Sequence, residues 1–220
     1  EAGVLVLASP RGRLVPVTRA ELDKPEDIER MTDWRNKHMK WFFTQFVATP
    51  AGTKKWLESE VLGNGAQLIY WVEWDGLKAG QVGWKIDSED TAELDQFIRG
   101  ESGGPPNLMF MAEEALLDFL CKTAGCARIL AKVLAGNLPA LELHRAMAFE
   151  AKRQIPMKAI STSGVLRFEP TADAGDNCVI DNNVVLEDTI IWSSSHVQRG
   201  ARLVNCVVGA ECIVSNGSSY

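Results

Sequence analysis

The stretch FIRGESGGPPNLMFMAEEALLDFL, from Phe97 to Leu120, changes its pattern twice, and these changes decide the fold. A strand-like run ends near Arg99, a loop rich in glycine and proline follows, and apolar residues at helical spacing continue after Asn107. Such a loop presents main-chain N–H groups without an intrahelical partner at the start of a helix. The pattern predicts either a phosphate-binding turn or a turn that merely reverses the chain.

Two common phosphate-binding motifs are excluded by the residues of this loop. No Lys-Ser or Lys-Thr pair follows the glycines, as a P-loop for nucleoside triphosphates requires. The G-x-G-x-x-G spacing of dinucleotide-binding folds is also absent. A pyrophosphate suits the remaining arrangement, because the helix dipole adds positive potential to the exposed amides.

The residues on either side of the loop alternate between strand and helix periods. The patterns predict, in chain order, a strand over 12–18, helices over 27–36 and from 49, a hairpin over 67–87 with Asp75-Gly76 at its turn, a strand over 91–100, a helix over 107–123, a strand over 128–137 and a helix over 138–149. This order predicts an α/β unit in which the first half of the sheet is mainly antiparallel and a helix crossover lies behind the second half.

The pattern changes again in the last part of the chain. Apolar residues recur about every six positions, with small or polar residues between them, at Ile180, Leu186, Trp192, Val197, Leu203, Val208 and Val214. This period is typical of a solenoid of short stacked strands. We therefore predict three parts: a first domain over 1–159, a linker over 160–177 and a partial solenoid over 178–220.

Composition narrows the classes of function. The chain has 220 residues, of which 46% are hydrophobic, and a formal net charge of -6, which argues against nucleic acid as a partner. The five cysteines form no C-x-x-C pair and have no histidine at metal spacing, so we expect reduced, mostly buried thiols and no metal. The apolar runs are too short for a membrane span, and we expect a cytoplasmic protein.

Residues 94–149 resemble the coenzyme-binding part of the GNAT family of acyl-CoA-dependent N-acyltransferases. Members carry a pyrophosphate loop of the form R/Q-x-x-G-x-G/A, a strand ending near an Asn, and a helix with A-x-x-L-Y-x-x-x-G-F. Upstream, LVPVT, MTDWRN and WLESEVL resemble the first strand and two acceptor-side helices of members that modify sugars and nucleotide-linked sugars. The resemblance covers about residues 13–156 and implies a GNAT-like fold, a mixed sheet with helices on both faces. This chain departs from the family in its loop, RGESGGPP, and in having His144 for Tyr and Ala148 for Gly.

The resemblance implies acetyl-CoA or a related acyl-CoA as the pyrophosphate-bearing ligand. It places the loop amides against the pyrophosphate, namely those of Gly100, Glu101, Ser102, Gly103 and Gly104. It also implies main-chain hydrogen bonds from Phe97, Ile98 and Arg99 to the pantetheine arm. Asn137 would lie beside that arm, although a plain helix cap explains it equally well.

Acyl transfer to an amine requires a neutral nucleophile, a polarised carbonyl and a proton for the departing thiolate. Glu93 and Asp95 are candidate bases, since they lie two residues apart and so on one face of their strand. Glu73, on the neighbouring hairpin, is a further carboxylate that would border the substrate. Each of these is alternatively a surface acid, and a water chain is a possible substitute.

The acceptor side and the proton donor are implied by the resemblance. Trp34, Arg35 and Asn36 would border the acceptor pocket, with Arg35 either binding a phosphate or carboxylate of the acceptor or forming a structural ion pair. His144 stands where the family's Tyr donates a proton to the thiolate. An imidazole can do the same with a dependence on pH in the physiological range, but a packing histidine is the alternative.

Residues 178–220 resemble the left-handed β-helix of hexapeptide repeats at the C-terminus of sugar-phosphate nucleotidyltransferases. The leading hypothesis is an N-acyltransferase for a small-molecule amine, an amino sugar or sugar nucleotide, that forms homo-oligomers through the β-helix. The alternative is a non-catalytic assembly or regulatory module of a sugar-nucleotide biosynthesis enzyme. Acyl transfer by the β-helix itself is a third possibility, for which His196 is the available histidine.

Overall fold

A computed structural model describes residues 3–150, 157–170, 172–175, 177–181 and 183–220 of the chain. They divide into two compact units. Unit 1 comprises residues up to 42 together with 47–148, and unit 2 comprises 43–46 together with the chain from 149 onward. No helix of the described residues is long and apolar enough to cross a membrane.

Unit 1 contains a mixed six-stranded sheet and four longer helices. Its strands, in chain order, are β1 (Leu5–Val6), β2 (Gly12–Pro16), β4 (Gln67–Trp74), β5 (Leu77–Ser88), β6 (Thr91–Arg99) and β7 (Arg128–Ala131), with the short β3 (Thr44–Gln45) belonging to unit 2. The helices are α1 (Pro25–Lys37), α2 (Pro50–Trp56, extended by a π-helical turn over Leu57–Val61), α3 (Leu108–Lys122) and α4 (Leu138–Ala146). The order of strands across the sheet is β1-β2-β4-β5-β6-β7.

The predicted hairpin is confirmed as the pair β4 and β5. Its turn is Asp75-Gly76, and both residues have positive φ, 51° and 79°, as a tight hairpin turn requires. All neighbours in the sheet are antiparallel except β6 and β7, which run parallel. The crossover between these two parallel strands contains the glycine-rich loop and α3.

The sheet of unit 1 buries both of its faces. Side chains of Ile69, Trp71 and Ile98 pack with Trp34 and other residues of α1 in one cluster. On the opposite face α3 packs against β1, β2 and β5, and Trp84 of β5 meets Phe119 of α3 with ring centroids 6.4 Å apart. Side chains alternate between the two faces along each strand, so each polar residue of β5 and β6 can be assigned to one face.

Several predicted elements have different bounds in the structure. The strand predicted over 128–137 ends at Ala131, and the helix predicted over 138–149 ends at Ala146. Asn137 instead caps α4, accepting a hydrogen bond at its side chain from the N–H of Ala140 at 3.4 Å. The prediction of mostly buried cysteines is wrong, since Cys178 is the buried one while Cys121 and Cys212 are exposed.

Unit 2 combines an antiparallel sheet with several short parallel strands. The antiparallel strands are β3, β8 (Met157–Thr162) and β9 (Val165–Pro170), so part of the predicted linker is strand. The parallel strands are β10 (Ala172–Ala174), β11 (Val179–Ile180), β12 (Val185–Glu187), β13 (Thr189–Ile191), β14 (His196–Val197), β15 (Arg202–Val204), β16 (Val207–Val208) and β17 (Ile213–Val214).

Each parallel pairing in unit 2 joins residues 17 positions apart. Ile180 pairs with Val197 and Val197 with Val214, while Leu186 pairs with Leu203. All five of these side chains belong to one buried cluster, as predicted from the period of about six. The predicted anchor Trp192 is wrong: it is 57% exposed, and Ile191 beside it is buried at 1%.

Candidate active site

Strand β6 contains a β-bulge, and the bulge separates the polar groups of the site onto two faces. Opposite β5, Asp95 pairs with Gly83 but Ile98 pairs with Gln81, so β6 has one extra residue in this stretch. Gln96 accommodates it with a φ of 56°. Asp95 and Ile98 therefore both point toward α1, although they are three residues apart, and Phe97 points to the opposite face.

The edge of β6 beyond the bulge has no strand partner on the side of β7 among the described residues. Pairing of the two parallel strands runs from Thr91 with Arg128 to Leu94 with Ala131 and stops there. This edge consists of Phe97 to Arg99, and the main chain of Arg99 is hydrogen-bonded to the side chain of His38. Phe97 to Arg99 are the residues predicted to bind a pantetheine arm.

The glycine-rich loop offers fewer main-chain amides than predicted. The N–H groups of Gly100 and Glu101 both donate to the carbonyl oxygen of Ala79, at 3.0 and 2.9 Å. The amides of Ser102, Gly103 and Gly104 make no hydrogen bond within the described residues. Three of the five predicted amides thus remain for an anion.

The fold requires glycine at some positions of this loop and not at others. A Cβ at Gly100 would lie 1.9 Å from the Trp34 ring, so this position requires glycine for packing. Gly104 has a φ of +83°, which disfavours any side chain. Gly103 has no atom within 4 Å of a built Cβ and lacks such a φ, so the fold itself does not require glycine there.

Basic side chains brace this loop. Arg99 donates from Nη2 to the carbonyl oxygen of Gly103, and its Nη1 is buried with no hydrogen-bond partner among the described residues. Burial lowers the pKa of the Arg99 guanidinium. Lys37 at the end of α1 donates from Nζ to the carbonyl oxygen of Gly100 at 3.4 Å. The loop therefore presents unused N–H donors next to a cation, which suits a phosphate group.

Asp95 is the carboxylate of the site with the most perturbed environment. Its oxygens accept from the N–H of Gln96 at 2.8 Å and from Nε2 of Gln67 at 3.4 Å. Burial raises the pKa of Asp95, and the nearby charge of Lys85 opposes the rise. A carboxylate with a raised pKa holds a proton more strongly than an ordinary carboxylate, which suits a base.

Glu93, two residues earlier on the same face, is held between two lysines. Oε1 lies 3.0 Å from Nζ of Lys85, and Oε2 lies 2.6 Å from Nζ of Lys132. Each carboxylate oxygen of Glu93 is thus engaged by a lysine. This environment suits a structural ion pair better than a base.

His144 lies on the opposite face of β6 from Asp95. Its Nδ1 is 2.6 Å from Oε1 of Glu113 in α3, and the imidazole packs edge-to-face on the ring of Phe97 with centroids 5.7 Å apart. The bulge thus places a candidate proton acceptor and a candidate proton donor on either side of one strand edge.

The predicted acceptor residues have different environments. Trp34 is 3% exposed and donates from Nε1 to Oε1 of Glu101 at 2.9 Å, so it supports the loop from the core. The Asn36 amide bonds both main-chain groups of Ala48. Glu73 forms an ion pair with Arg13 at 2.8 Å.

Arg35 is the predicted acceptor residue that the structure places near a candidate base. Its guanidinium lies 3.9 Å from the centroid of the Phe42 ring. Burial lowers the pKa of Arg35, and the charge of Asp95 opposes this effect. Arg35 and Asp95 are therefore close enough to interact electrostatically.

A cleft of about 610 Å³ lies beside the glycine-rich loop. It is lined by Gly103, Gly104 and Pro105, by Trp74, Asp75, Leu77, Lys78 and Ala79 of the hairpin, and by Arg11, Arg30 and Glu101. Asp95, His144 and Arg35 are not among these residues, so the cleft adjoins the loop rather than the candidate proton-transfer groups.

Sequence reasoning missed the residues that surround the predicted ones. Gln67, Lys85 and Glu113 contact Asp95, Glu93 and His144, but each comes from a different element. One signal was present in the sequence: Glu113 interrupts the apolar face of α3 between Ala112 and Leu116. Within the part of the chain that is described, no three His, Cys, Asp or Glu side chains are arranged to hold a metal ion.

The profile of the acetyltransferase (GNAT) domain matches residues 19–150, more than half of the chain. The chain belongs to the GNAT acetyltransferase family. The mixed sheet with helices on both faces is the predicted GNAT-like fold, and the prediction is confirmed for this part of the chain. No curated protein matches the chain.

Solved structures of GNAT proteins share the fold at low identity. A probable acetyltransferase of the GNAT family from Chromobacterium violaceum gives a TM-score of 0.59 at 13% identity, covering 76% of this chain and 85% of the other. A GCN5-related N-acetyltransferase from Brucella melitensis gives 0.58 at 17%, covering 76% and 78%. A ribosomal L7/L12 alpha-N-protein acetyltransferase in complex with coenzyme A gives 0.53 at 12%, covering 74% and 90%.

Proposed function

We propose that the protein is an acyl-CoA-dependent N-acetyltransferase that transfers an acetyl or related acyl group to an amine. The observation that carries the proposal is the strand edge after the β6 bulge: the edge has no strand partner on the side of β7 among the described residues, and it leads directly into a loop with three unused amides. An extended ligand that ends in a pyrophosphate matches both features. Membership of the GNAT family supports the same ligand.

The residues present fit this acyl-CoA. Ser102, Gly103 and Gly104 would bind the pyrophosphate through their amides, with Arg99 beside them. Main-chain groups of Phe97, Ile98 and Arg99 would bind the pantetheine arm, near Asn137. When bound, the thioester supplies the activated acyl group, and the protein's part is to position the amine and to move two protons.

Asp95 is the base in this proposal. Its carboxylate takes the proton that the amine loses as the new N–C bond forms, while the C–S bond breaks and His144 donates a proton to the sulfur. Glu93 keeps Lys85 and Lys132 in place. Arg35, close to Asp95, contacts the acceptor, and Trp34 and Asn36 hold the segments around it.

For the acceptor we propose an amino sugar or a sugar nucleotide, on the basis of the sequence resemblance. A protein N-terminal amine is the second candidate, because the GNAT structures of similar fold include a ribosomal L7/L12 alpha-N-protein acetyltransferase. A free amino group is common to both. Assay of purified protein with acetyl-CoA against glucosamine-type amines, aminosugar nucleotides and short peptides with a free N-terminus separates the two candidates.

For unit 2 we propose a partial left-handed β-helix of hexapeptide type over 178–220 that joins copies of the chain. The repeat of 17 residues and the buried cluster of apolar side chains support a coiled arrangement. The exposed Trp192 and Tyr220 give this part apolar surface for self-association. Sedimentation of the whole chain, with and without Trp192→Ser, tests the proposal.

The alternative is a non-catalytic module within a sugar-nucleotide biosynthesis enzyme. The occupied amides of Gly100 and Glu101 and the replacement of the family's Tyr by His144 favour it. A thermal shift with acetyl-CoA decides first, because a ligand that binds only the folded state raises the melting temperature. No shift with acetyl-CoA or with other acyl-CoA esters would overturn the enzyme proposal.

A further inference from the structure

Glu113 is a fully buried carboxylate that the acyl-transfer scheme above leaves without a role. It lies in α3 at 0% exposure, and Oε1 is 2.6 Å from Nδ1 of His144 in α4. Its other oxygen, Oε2, has no hydrogen-bond partner among the described residues. A buried carboxylate with one unpaired oxygen is costly, since apolar side chains of similar volume would pack there more favourably. This cost calls for a reason beyond packing.

The position of the pair in the fold supplies a reason. The imidazole of His144 packs on Phe97, directly after the bulge of β6, where the strand edge is unpaired. Asp95 lies on the opposite face of the same strand. Glu113 comes from the helix that follows the glycine-rich loop, so α3 connects the loop to the histidine.

We propose that Glu113 is a positioning residue for His144 in the proposed acyl transfer, on which this inference rests. Its carboxylate accepts a hydrogen bond from Nδ1–H, which fixes the ring and leaves Nε2 as the nitrogen that exchanges protons with other groups. When the C–S bond breaks, the imidazolium gives its Nε2 proton to the thiolate. Solvent returns the proton to His144 after the products leave.

A structural ion pair between α3 and α4 makes a different prediction. In that case His144→Tyr and His144→Phe both remove the pair and should behave alike. If His144 instead donates a proton, a tyrosine hydroxyl can replace the imidazole and a phenylalanine cannot. The two substitutions differ by one hydroxyl group, so they form a matched pair.

The experiment measures kcat and KM for acetyl-CoA in a set of whole-chain variants. We expect His144→Phe to lower kcat about 10²- to 10⁴-fold with little change in KM, and His144→Tyr to stay within about tenfold of wild type. Glu113→Gln should lower kcat about tenfold in wild type and cause no further loss in the His144→Phe background. Glu114→Gln, an exposed neighbour in α3, is the control and should change nothing.

A nitrogen-15 NMR spectrum of the histidines tests the contact without activity. The chain has three histidines, and His144→Phe identifies the signal of interest. We expect a protonated, hydrogen-bonded Nδ1 in wild type that changes in Glu113→Gln. An unprotonated Nδ1 at His144 in wild type would overturn the inference, and so would equal losses in His144→Tyr and His144→Phe. If wild type acetylates none of the amines, the proposed function itself fails, and the inference fails with it.

Discussion

Asp95 is partly buried at the proposed active site, and this position has opposite effects on stability and on activity. Its carboxylate has a raised pKa because burial disfavours the charge. The folded protein therefore binds this proton more tightly than the unfolded chain does. The charged form lowers the free energy of unfolding at every pH above the folded-state pKa, and the effect disappears below the ordinary carboxyl range.

We predict that Asp95→Asn raises the melting temperature at pH 7. The increase should be about 2–4 °C for each kcal/mol gained in the free energy of unfolding. It should shrink as the pH falls through the raised pKa of Asp95 toward the ordinary carboxyl value, because the carboxylate then becomes neutral in the wild type as well. Thermal denaturation at several pH values measures it. Glu89→Gln, in the exposed turn between β5 and β6, is the control. A lower melting temperature for Asp95→Asn at pH 7 would contradict the burial argument.

The same carboxylate predicts a limb in the pH profile of activity. As a base, Asp95 must be ionised, so kcat/KM should fall as the pH decreases through its raised pKa, above the range of ordinary carboxyl groups. Asp95→Asn should lose about 10²-fold or more in kcat/KM and lack this limb. A profile of kcat/KM against pH for both proteins tests this. An unchanged limb in the variant would assign it to another group.

Substitutions at Gly103 and Gly104 distinguish an effect on ligand binding from an effect on folding. We predict that Gly103→Val weakens acetyl-CoA binding about tenfold, or about 1.4 kcal/mol, without lowering the melting temperature, because the side chain meets open space in the free protein. Gly104→Val should also destabilise the fold, because its φ is +83°. Calorimetric titration and thermal denaturation measure both. Full binding by Gly103→Val would show that the ligand does not approach this residue.

At the scale of elements, β6 is the part of the fold on which the site depends. Its first half pairs with β7 and its second half does not, and the bulge at Gln96 lies near the change. The bulge brings Asp95 to the side of α1 and Phe97 to the side of His144. One strand thereby has the candidate proton acceptor, Asp95, on one face and the candidate proton donor, His144, next to the other face.

The parallel strands of unit 2 depend on inward apolar residues at 17-residue intervals. We predict that Leu203→Asp, at a position 1% exposed, costs about 3 kcal/mol or more and unfolds these strands while unit 1 stays folded. Val207→Asp, on an exposed position of the next strand, is the control and should have little effect. Limited proteolysis followed by mass spectrometry locates the cleavage sites. Protection of residues 178–220 in Leu203→Asp would contradict the assignment of an inward position.

At the scale of the whole molecule, the chain consists of two compact units with separate buried clusters. The proposed ligand contacts residues of unit 1 alone. We predict two unfolding transitions in calorimetry, of which acetyl-CoA raises one. At a concentration 100 times its Kd, the ligand adds about 2.7 kcal/mol to the free energy of unfolding, which raises the melting temperature by about 5–10 °C. Equal shifts of both transitions would show that the ligand couples the units.

The sequence determined the order of elements, the family and the loop, because these follow from local patterns. Period and turn residues placed the Asp75-Gly76 hairpin, the glycine-rich turn before α3 and the apolar period of unit 2. Each of these depends on residues close together in the chain. Local pattern sufficed there because it reflects backbone preferences and burial on one face.

Only the tertiary structure determined which of the predicted site residues are already paired and which face of the sheet each one occupies. The N–H groups of Gly100 and Glu101 donate to the carbonyl oxygen of Ala79, and Glu93 forms an ion pair with Lys132. Both contacts join separate elements. The bulge shifted the faces of β6, and the choice between Ile191 and Trp192 depended on how strands stack 17 residues apart. Glu113 meets His144 from 31 residues away. Such pairings depend on packing between elements, whose free energy is not contained in any local stretch of sequence.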